Sequence, residues 1–308
     1  MRFTLLALSL AAILTAPVGQ EAGVPVELSP RLVQDQRPTF RSQVSAVRLD
    51  VLALEGNRPI VGLTSADFEV TDNGRLQAVE AVWAADSPLD VVFALDRSQS
   101  VEGEMLGRLK EAVGVTTGGL RAADRAALLT FAHDVSLDAP LEADRRTFAE
   151  AVGRVVAAGG TSILDAVYGA LLVAEGSGRR TLVLLFSDGF DNRSWLTSGQ
   201  IVQIARESEA VICGVAFVPP VVGRGDRAVP PHVALLRTLS EATGGEMVSL
   251  GRGADLAPTF VRILDTMRAR YLLAYTPAGP ETRGWHELKV RLTRSRGTVV
   301  ARPGYFVR

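Results

Sequence analysis

Residues 91–100 decide the fold class of this chain. They read VVFALDRSQS, five consecutive apolar residues followed by a carboxylate and two hydroxyl side chains. An uninterrupted apolar run of this length is typical of a strand buried on both faces, as in a parallel sheet. Met105, Leu109 and Ala112 follow at helical spacing and predict an amphipathic helix. The first pair of elements is therefore a β-strand followed by an α-helix.

The same alternation of strand and helix continues from about residue 88 to 269. Apolar runs at 181–186 and 211–218 predict two further buried strands, and helical periods at 163–174 and 201–209 precede them. Repeated β–α units predict an α/β fold, a doubly wound and mostly parallel sheet with helices on both faces.

On both sides of this region the apolar pattern changes to a period of two, which is typical of β-strands. Residues 47–54 show this period before the region, and residues 288–293 show it after. Segments 68–71 and 75–82 flank Asp72-Asn73-Gly74, a strong signal for a hairpin. Because the C-terminal part is too short for a core of its own, we predict that both flanks build one small β domain around the inserted α/β domain.

The N-terminus carries one basic residue, a short apolar run and then small residues, the pattern of a secretory signal peptide. No later run reaches the ~20 apolar residues that a transmembrane helix needs, so we expect an exported protein, periplasmic or extracellular. The predicted segments are a signal peptide (1–20), a linker (21–39), the first part of the β domain (40–86), the α/β domain (87–269) and the second part of the β domain (270–308).

The composition excludes several classes of protein. Apolar residues make up 47% and charged residues 22%, which fits a globular chain and excludes general disorder. With 33 basic and 34 acidic side chains, the chain lacks the strong positive charge of nucleic-acid-binding proteins. A single cysteine, Cys213, excludes an intramolecular disulfide framework and a cysteine-rich zinc site.

Oxygen-bearing side chains follow the ends of two of the predicted buried strands. Asp96, Ser98 and Ser100 follow the first at alternate positions, Asp188 follows the second, and Thr161 comes after a Gly-Gly turn between them. The carboxyl ends of the strands in such a sheet form the ligand-binding edge. Carboxylates and hydroxyls without a nearby histidine or thiol favour Mg²⁺, Mn²⁺ or Ca²⁺ over zinc.

These residues carry a resemblance to a known family. Residues 88–269 resemble a von Willebrand factor type A (VWFA) domain with a metal-ion-dependent adhesion site (MIDAS), whose pattern is D-x-S-x-S, then a distant Thr and a distant Asp. The matching positions are Asp96, Ser98, Ser100, Thr161 and Asp188. The resemblance implies that these residues hold a divalent cation, directly or through water, and that an acidic side chain of a protein partner completes its coordination. It thus implies a non-enzymatic binding or adhesion module.

The flanks are similar to those of bacterial secreted VWFA-related proteins, a group abundant in acidobacteria. This similarity is carried by residues 61–74, 271–277 and 302–305. Within the first motif, Arg97 and Gln99 occupy positions where the family often has small residues. The candidate partner contacts are Arg97, Gln99 and Asp191, the last of which is also placed to organise its own loop. Solvated faces of β-strands explain the net charge of +7 over residues 262–308, and contact with an anionic envelope surface is the alternative.

Two other functions compete with this interpretation. A phosphohydrolase of the haloacid dehalogenase type also places an Asp after the first strand, but it needs a second acid two residues later, where this chain has Ser98. An envelope scaffold with a structural or vestigial metal site would carry the same motif. A serine hydrolase is disfavoured because the sequence contains no G-x-S-x-G elbow.

Overall fold

The computed structural model of this chain describes residues 46–83, 86–218, 229–251, 253–278, 283–293 and 297–307. The predicted signal peptide (1–20) and linker (21–39) lie outside the described residues. The strands are β1 (Val47–Glu55), β2 (Arg58–Pro59), β3 (Phe68–Asp72), β4 (Arg75–Gln77), β5 (Glu80–Trp83), β6 (Leu89–Asp96), β7 (Arg125–Phe131), β8 (Val135–Ala139), β9 (Arg180–Ser187), β10 (Val211–Val218), β11 (Met247–Gly251), β12 (Tyr271–Tyr275), β13 (Gly284–Leu292), β14 (Thr298–Val300) and β15 (Gly304–Val307). The helices are α1 (Glu104–Gly118), α2 (Arg145–Arg154), α3 (Ile163–Glu175), α4 (Ser198–Glu207), α5 (Pro231–Thr243) and α6 (Leu256–Arg268).

The central sheet confirms the predicted α/β fold. Its strand order is β11-β10-β9-β6-β7-β8, and all neighbours are parallel except β8, which runs antiparallel to β7. Every residue of β6 is buried, as its apolar run predicts. Val91 and Phe93 pack with α1, α2 and α6 on one face, whereas Val92 and Ala94 pack with α3, α4 and α5 on the other.

Strands from both flanks form additional antiparallel sheets, as predicted. β1 pairs with β12, with Val47 opposite Tyr275, and β3 pairs with β13. The flanks build two sheets, β14-β1-β12-β5 and β15-β13-β3-β4, whose buried residues share one hydrophobic cluster. The segment predicted as one strand at 75–82 is interrupted, because β4 pairs with β3 in one sheet and β5 pairs with β12 in the other.

The predicted hairpin between β3 and β4 is confirmed. Asn73 and Gly74 have φ angles of 48° and 78°, the positive values that a tight two-residue turn requires. Asn is one of the few residues with a side chain that accept this conformation, and Gly accepts it without strain.

A buried polar cluster links the two antiparallel sheets. Asp72 Oδ2 accepts hydrogen bonds of 2.8 Å from the hydroxyls of Tyr275 and Tyr305, and Asp72 Oδ1 lies 2.8 Å from His286 Nδ1. Tyr275 belongs to β12 in one sheet, whereas the other members of the cluster lie on β3, β13 and β15 in the second sheet. Burial, reinforced by the hydrogen bonds to Asp72, raises the pKa of both tyrosines.

Cys213 lies in β10 and is buried, as predicted. Burial raises the pKa of its thiol to about 11, so the folded protein holds almost no thiolate near neutral pH. We therefore expect a disulfide reagent at pH 8 to modify Cys213 only after denaturation. The measurement is the rate at which the reagent releases its own thiol product, with and without guanidinium. Rapid modification of the native protein would contradict the expectation.

No helix in the described part of the chain is long and apolar enough to cross a bilayer.

Candidate metal-binding site

Three loops meet at the carboxyl edge of the central sheet, following β6, α2 and β9. Backbone hydrogen bonds join the first two loops: Gln99 N donates to Gly159 O (3.1 Å), and Ala158 N donates to Arg97 O (2.8 Å). Gly159 has a φ angle of +75°, and a Cβ atom there would lie 2.6 Å from Nδ1 of His133. The Gly-Gly turn noted in the sequence is therefore required for this close approach.

Asp96 is completely buried at the end of β6 and anchors the first loop. Its Oδ1 accepts a hydrogen bond from Ser98 N (2.8 Å), and its Oδ2 accepts one from Ser187 Oγ (2.6 Å). Burial raises the pKa of Asp96 to about 6, although these hydrogen bonds oppose the shift. Sequence reasoning did not single out Ser187. Its role depends on β6 and β9 being adjacent parallel strands that end together at this edge, which spacing along the chain does not reveal.

The structure brings the predicted ligand residues of the three loops together. Ser98 Oγ lies 3.0 Å from Ser100 Oγ, which donates a hydrogen bond of 2.6 Å to Asp188 Oδ1. A Cβ atom on Gly189 would lie 3.6 Å from Thr161 Oγ1 and 3.8 Å from Ser100 Oγ. Gly189 therefore marks the point where the loops after β6, α2 and β9 converge.

The third loop holds Thr161 in place through its backbone. Asn192 Oδ1 accepts a hydrogen bond from Thr161 N (3.0 Å), while Asn192 N and Arg193 N both donate to Thr161 O (2.9 and 3.1 Å). Asn192 is a second supporting residue that the sequence motif does not reveal, since its contact depends on how the loops pack.

The donor set fits a hard divalent cation. It consists of carboxylate and hydroxyl oxygens, which Mg²⁺, Mn²⁺ and Ca²⁺ prefer. Across the described ranges, no group of three or more His, Cys, Asp or Glu side chains is placed to hold a metal ion, so a cation here would depend on the hydroxyls of the motif. The positive charge of a cation would stabilise the ionised form of Asp96, whose pKa is raised by burial and, to a smaller extent, by the charge of Asp188.

The candidate partner contacts all lie in the loops at this edge, and each of the three also forms a contact within the protein. The guanidinium of Arg97 forms an ion pair of 2.7 Å with Asp134. Asp191 accepts hydrogen bonds from Leu164 N at the start of α3 (2.9 Å) and from Ser194 Oγ (2.6 Å), so it organises its own loop. Gln99 is exposed and donates a hydrogen bond to Glu102.

Residues 91–190 match the von Willebrand factor type A (VWA) domain family. Among solved structures, von Willebrand factor type A from Catenulispora acidiphila is similar, with 15% identity and a TM-score of 0.51 over 83% of this chain and 75% of that one. Proximal thread matrix protein 1 from the mussel byssus, solved with a zinc-occupied MIDAS motif, shares 16% identity, with a TM-score of 0.49 over 65% of this chain and 50% of that one. The vWF domain of the pili tip protein Mfa5 from Porphyromonas gingivalis shares 13% identity, with a TM-score of 0.45 over 64% and 98% of the two chains.

No curated protein sequence is significantly similar to this chain. The match to the mussel protein spans half of that protein's length. The family match and the similarity to the C. acidiphila structure agree on the architecture: the α/β region has a VWA-like fold, extended by antiparallel sheets from both flanks.

Proposed function

We propose that this chain is an exported, non-enzymatic binding module that recognises a protein partner through a divalent cation. The cation would be held by five residues, Asp96, Ser98, Ser100, Thr161 and Asp188. Mg²⁺ is the first candidate for this cation, and Mn²⁺ or Ca²⁺ could replace it. Domains of the VWA family generally serve adhesion or protein interaction, which supports the proposal. The sequence of the flanks supports assignment to the bacterial secreted VWFA-related group, and the N-terminal pattern supports export.

The observation that carries this proposal is the gradient of burial across the site. Asp96, Ser98 and Thr161 are buried, Asp188 is half-buried, and Ser100 is exposed. A cation held here would thus be fixed from the protein side and reachable from solvent. Because the set contains only two carboxylates, a divalent ion keeps affinity for a further carboxylate from outside, which an acidic side chain of a partner can supply.

A thermal measurement tests whether the site takes up a cation. A ligand that binds only the folded state stabilises it by about 2.7 kcal/mol when its concentration is 100 times the Kd. For a domain of this size we expect Mg²⁺ to raise the thermal midpoint by roughly 5–10 °C over a sample with EDTA. Ser100→Ala, which removes an exposed hydroxyl of the motif, is expected to reduce the increase. Equal midpoints with Mg²⁺ and with EDTA would contradict the proposal.

Partner capture then separates binding from a structural role. Immobilised wild-type protein is incubated with a bacterial envelope extract in Mg²⁺ and eluted with EDTA, and the Asp188→Asn variant serves as control. A protein retained by the wild type, released by EDTA and absent from the control supports the proposal. A cation that stabilises the fold while leaving retention unchanged would favour the scaffold, and turnover of a generic aryl phosphate would favour the phosphohydrolase.

A further inference from the structure

The loop after β9, which also carries Asp188, presents an exposed tryptophan. Trp195 is 94% exposed, although tryptophan is usually among the more buried residues on average. Arg193, two residues before Trp195, donates its amide to Thr161 O. The Cα atom of Trp195 therefore lies within roughly 7 Å of a residue whose backbone is bonded to Thr161. Phe190, two residues after Asp188, is 55% exposed and contacts the His232 ring edge-on at 5.1 Å.

The backbone of this loop is rigidly held. Each backbone amide from residue 192 to residue 197 donates a hydrogen bond within the protein. The amides of residues 192 and 193 donate to Thr161 O, and the amide of residue 194 donates to Asp191. The amides of residues 195 and 196 donate to Asp165, and the amide of residue 197 donates to Gln200. Asp165 lies in the first turn of α3 and receives the amides of Trp195 and Leu196 on its two carboxylate oxygens (3.0 and 3.1 Å). The indole is thus exposed on a fixed backbone.

Arg193 adds an available positive charge to the same loop. It is exposed, and across the described part of the chain its guanidinium forms no ion pair or hydrogen bond. Arg97, the other guanidinium at this edge, is held by Asp134. Tryptophan and arginine are the residue types most enriched among the contacts that dominate binding energy in protein interfaces. A rigid backbone also lowers the entropy that binding costs.

We propose that Phe190, Arg193 and Trp195, which we call the platform, form the second half of the partner-binding surface. The partner that fits is a protein segment with two acidic side chains and one apolar side chain. The first carboxylate reaches the cation, the second pairs with Arg193, and the apolar side chain packs on Trp195. This inference rests on the proposed function, because the cation supplies the first contact.

Selection from a random dodecapeptide library displayed on phage tests this inference. The intact chain is immobilised in Mg²⁺, and bound phage are eluted with EDTA. We expect the eluted peptides to carry two acidic residues and an apolar residue. We expect Trp195→Ala to weaken their binding at least ~10-fold, and Arg193→Gln to weaken it by a similar factor. The effect of Arg193→Gln should vanish when the second acidic residue of the peptide is replaced by an amide, since the two groups then no longer interact.

A matched control is Leu76→Ala, which removes an exposed apolar side chain on β4, outside the site loops. It should leave peptide affinity unchanged, and all variants should keep the wild-type thermal midpoint, because the substituted side chains are exposed. Eluted peptides that bind Trp195→Ala and Arg193→Gln as tightly as the wild type would overturn the inference, as would Mg²⁺ binding without any EDTA-eluted peptide. A calorimetric titration with Mg²⁺ distinguishes these two outcomes from failure of the proposed function. If the proposed function fails, the protein binds no Mg²⁺.

Discussion

Asp96→Asn is expected to weaken divalent-cation binding at least ~100-fold, a loss of about 2.7 kcal/mol of binding free energy. Two unit charges about 4 Å apart attract by roughly 4 kcal/mol at an effective dielectric constant of about 20, and a divalent ion doubles this. Desolvation offsets part of the attraction, so the net loss is smaller. The amide keeps the shape of the side chain. Its Oδ1 can still accept the hydrogen bond from Ser98 N, and its Nδ2 can donate to Ser187 Oγ, which accepts in place of donating.

Asp90 provides a matched control at the other end of the same strand. It is also completely buried, but it forms ion pairs with Arg125 (2.6 Å) and Arg179 (3.4 Å). Asp90→Asn should therefore lower the free energy of unfolding by about 2–4 kcal/mol and leave cation affinity unchanged. Calorimetric titration with Mg²⁺ and urea denaturation in EDTA separate the two effects. Wild-type cation affinity in Asp96→Asn would contradict the assignment of the site.

Asp72→Ala is expected to lower the free energy of unfolding by about 3–5 kcal/mol, the largest stability effect that we predict. Asp72 accepts hydrogen bonds from Tyr275 and Tyr305, and a buried hydroxyl that loses its acceptor costs about 1–3 kcal/mol. The Tyr305 hydroxyl also lies 3.2 Å from His286 Nδ1, so the larger cost falls on Tyr275. Urea denaturation measures the loss. Asp86→Ala serves as control, because the Asp86 side chain is 96% exposed and its ion pair with Arg121 contributes little. Equal stability of the two variants would contradict the prediction.

The same cluster predicts a loss of stability at alkaline pH. The folded state raises the pKa of Tyr275 and Tyr305 above the value of about 10 in the unfolded chain. Their contribution to stability is therefore complete below pH ~10 and is lost as the pH rises, because the unfolded chain releases protons that the folded chain retains. Denaturation curves above pH 10 should show a shallower decline for Tyr275→Phe than for the wild type.

The sequence predicts the parts of the fold that depend on local pattern. The buried strand at 91–95 and the hairpin turn at Asn73-Gly74 are confirmed, since continuous apolar runs and positive-φ residues report directly on burial and turn type. The division of segment 75–82 between two sheets was not predicted. It depends on pairing with β12 and β3, and nothing within the segment itself indicates those partners.

For the candidate site too, the sequence predicts what local spacing determines and misses what depends on tertiary packing. The spacing of the motif leads to the five candidate ligand residues, and the structure brings them together at one edge of the sheet. The residues that support them were not found, because Ser187 and Asn192 act through contacts set by strand register and loop packing. His286 lies in the buried cluster, and its partner Asp72 could not be inferred from spacing along the chain.

During synthesis, β1 leaves the ribosome more than two hundred residues before its partner β12. The strands of the central sheet lie between residues 89 and 251. That sheet can therefore form while β1 is still unpaired and its apolar side chains are exposed to solvent. Contacts between residues so far apart in sequence form slowly, because a long loop must close before the contacts are gained. We therefore expect folding to proceed from the central sheet outward, with the paired flanks gaining structure last.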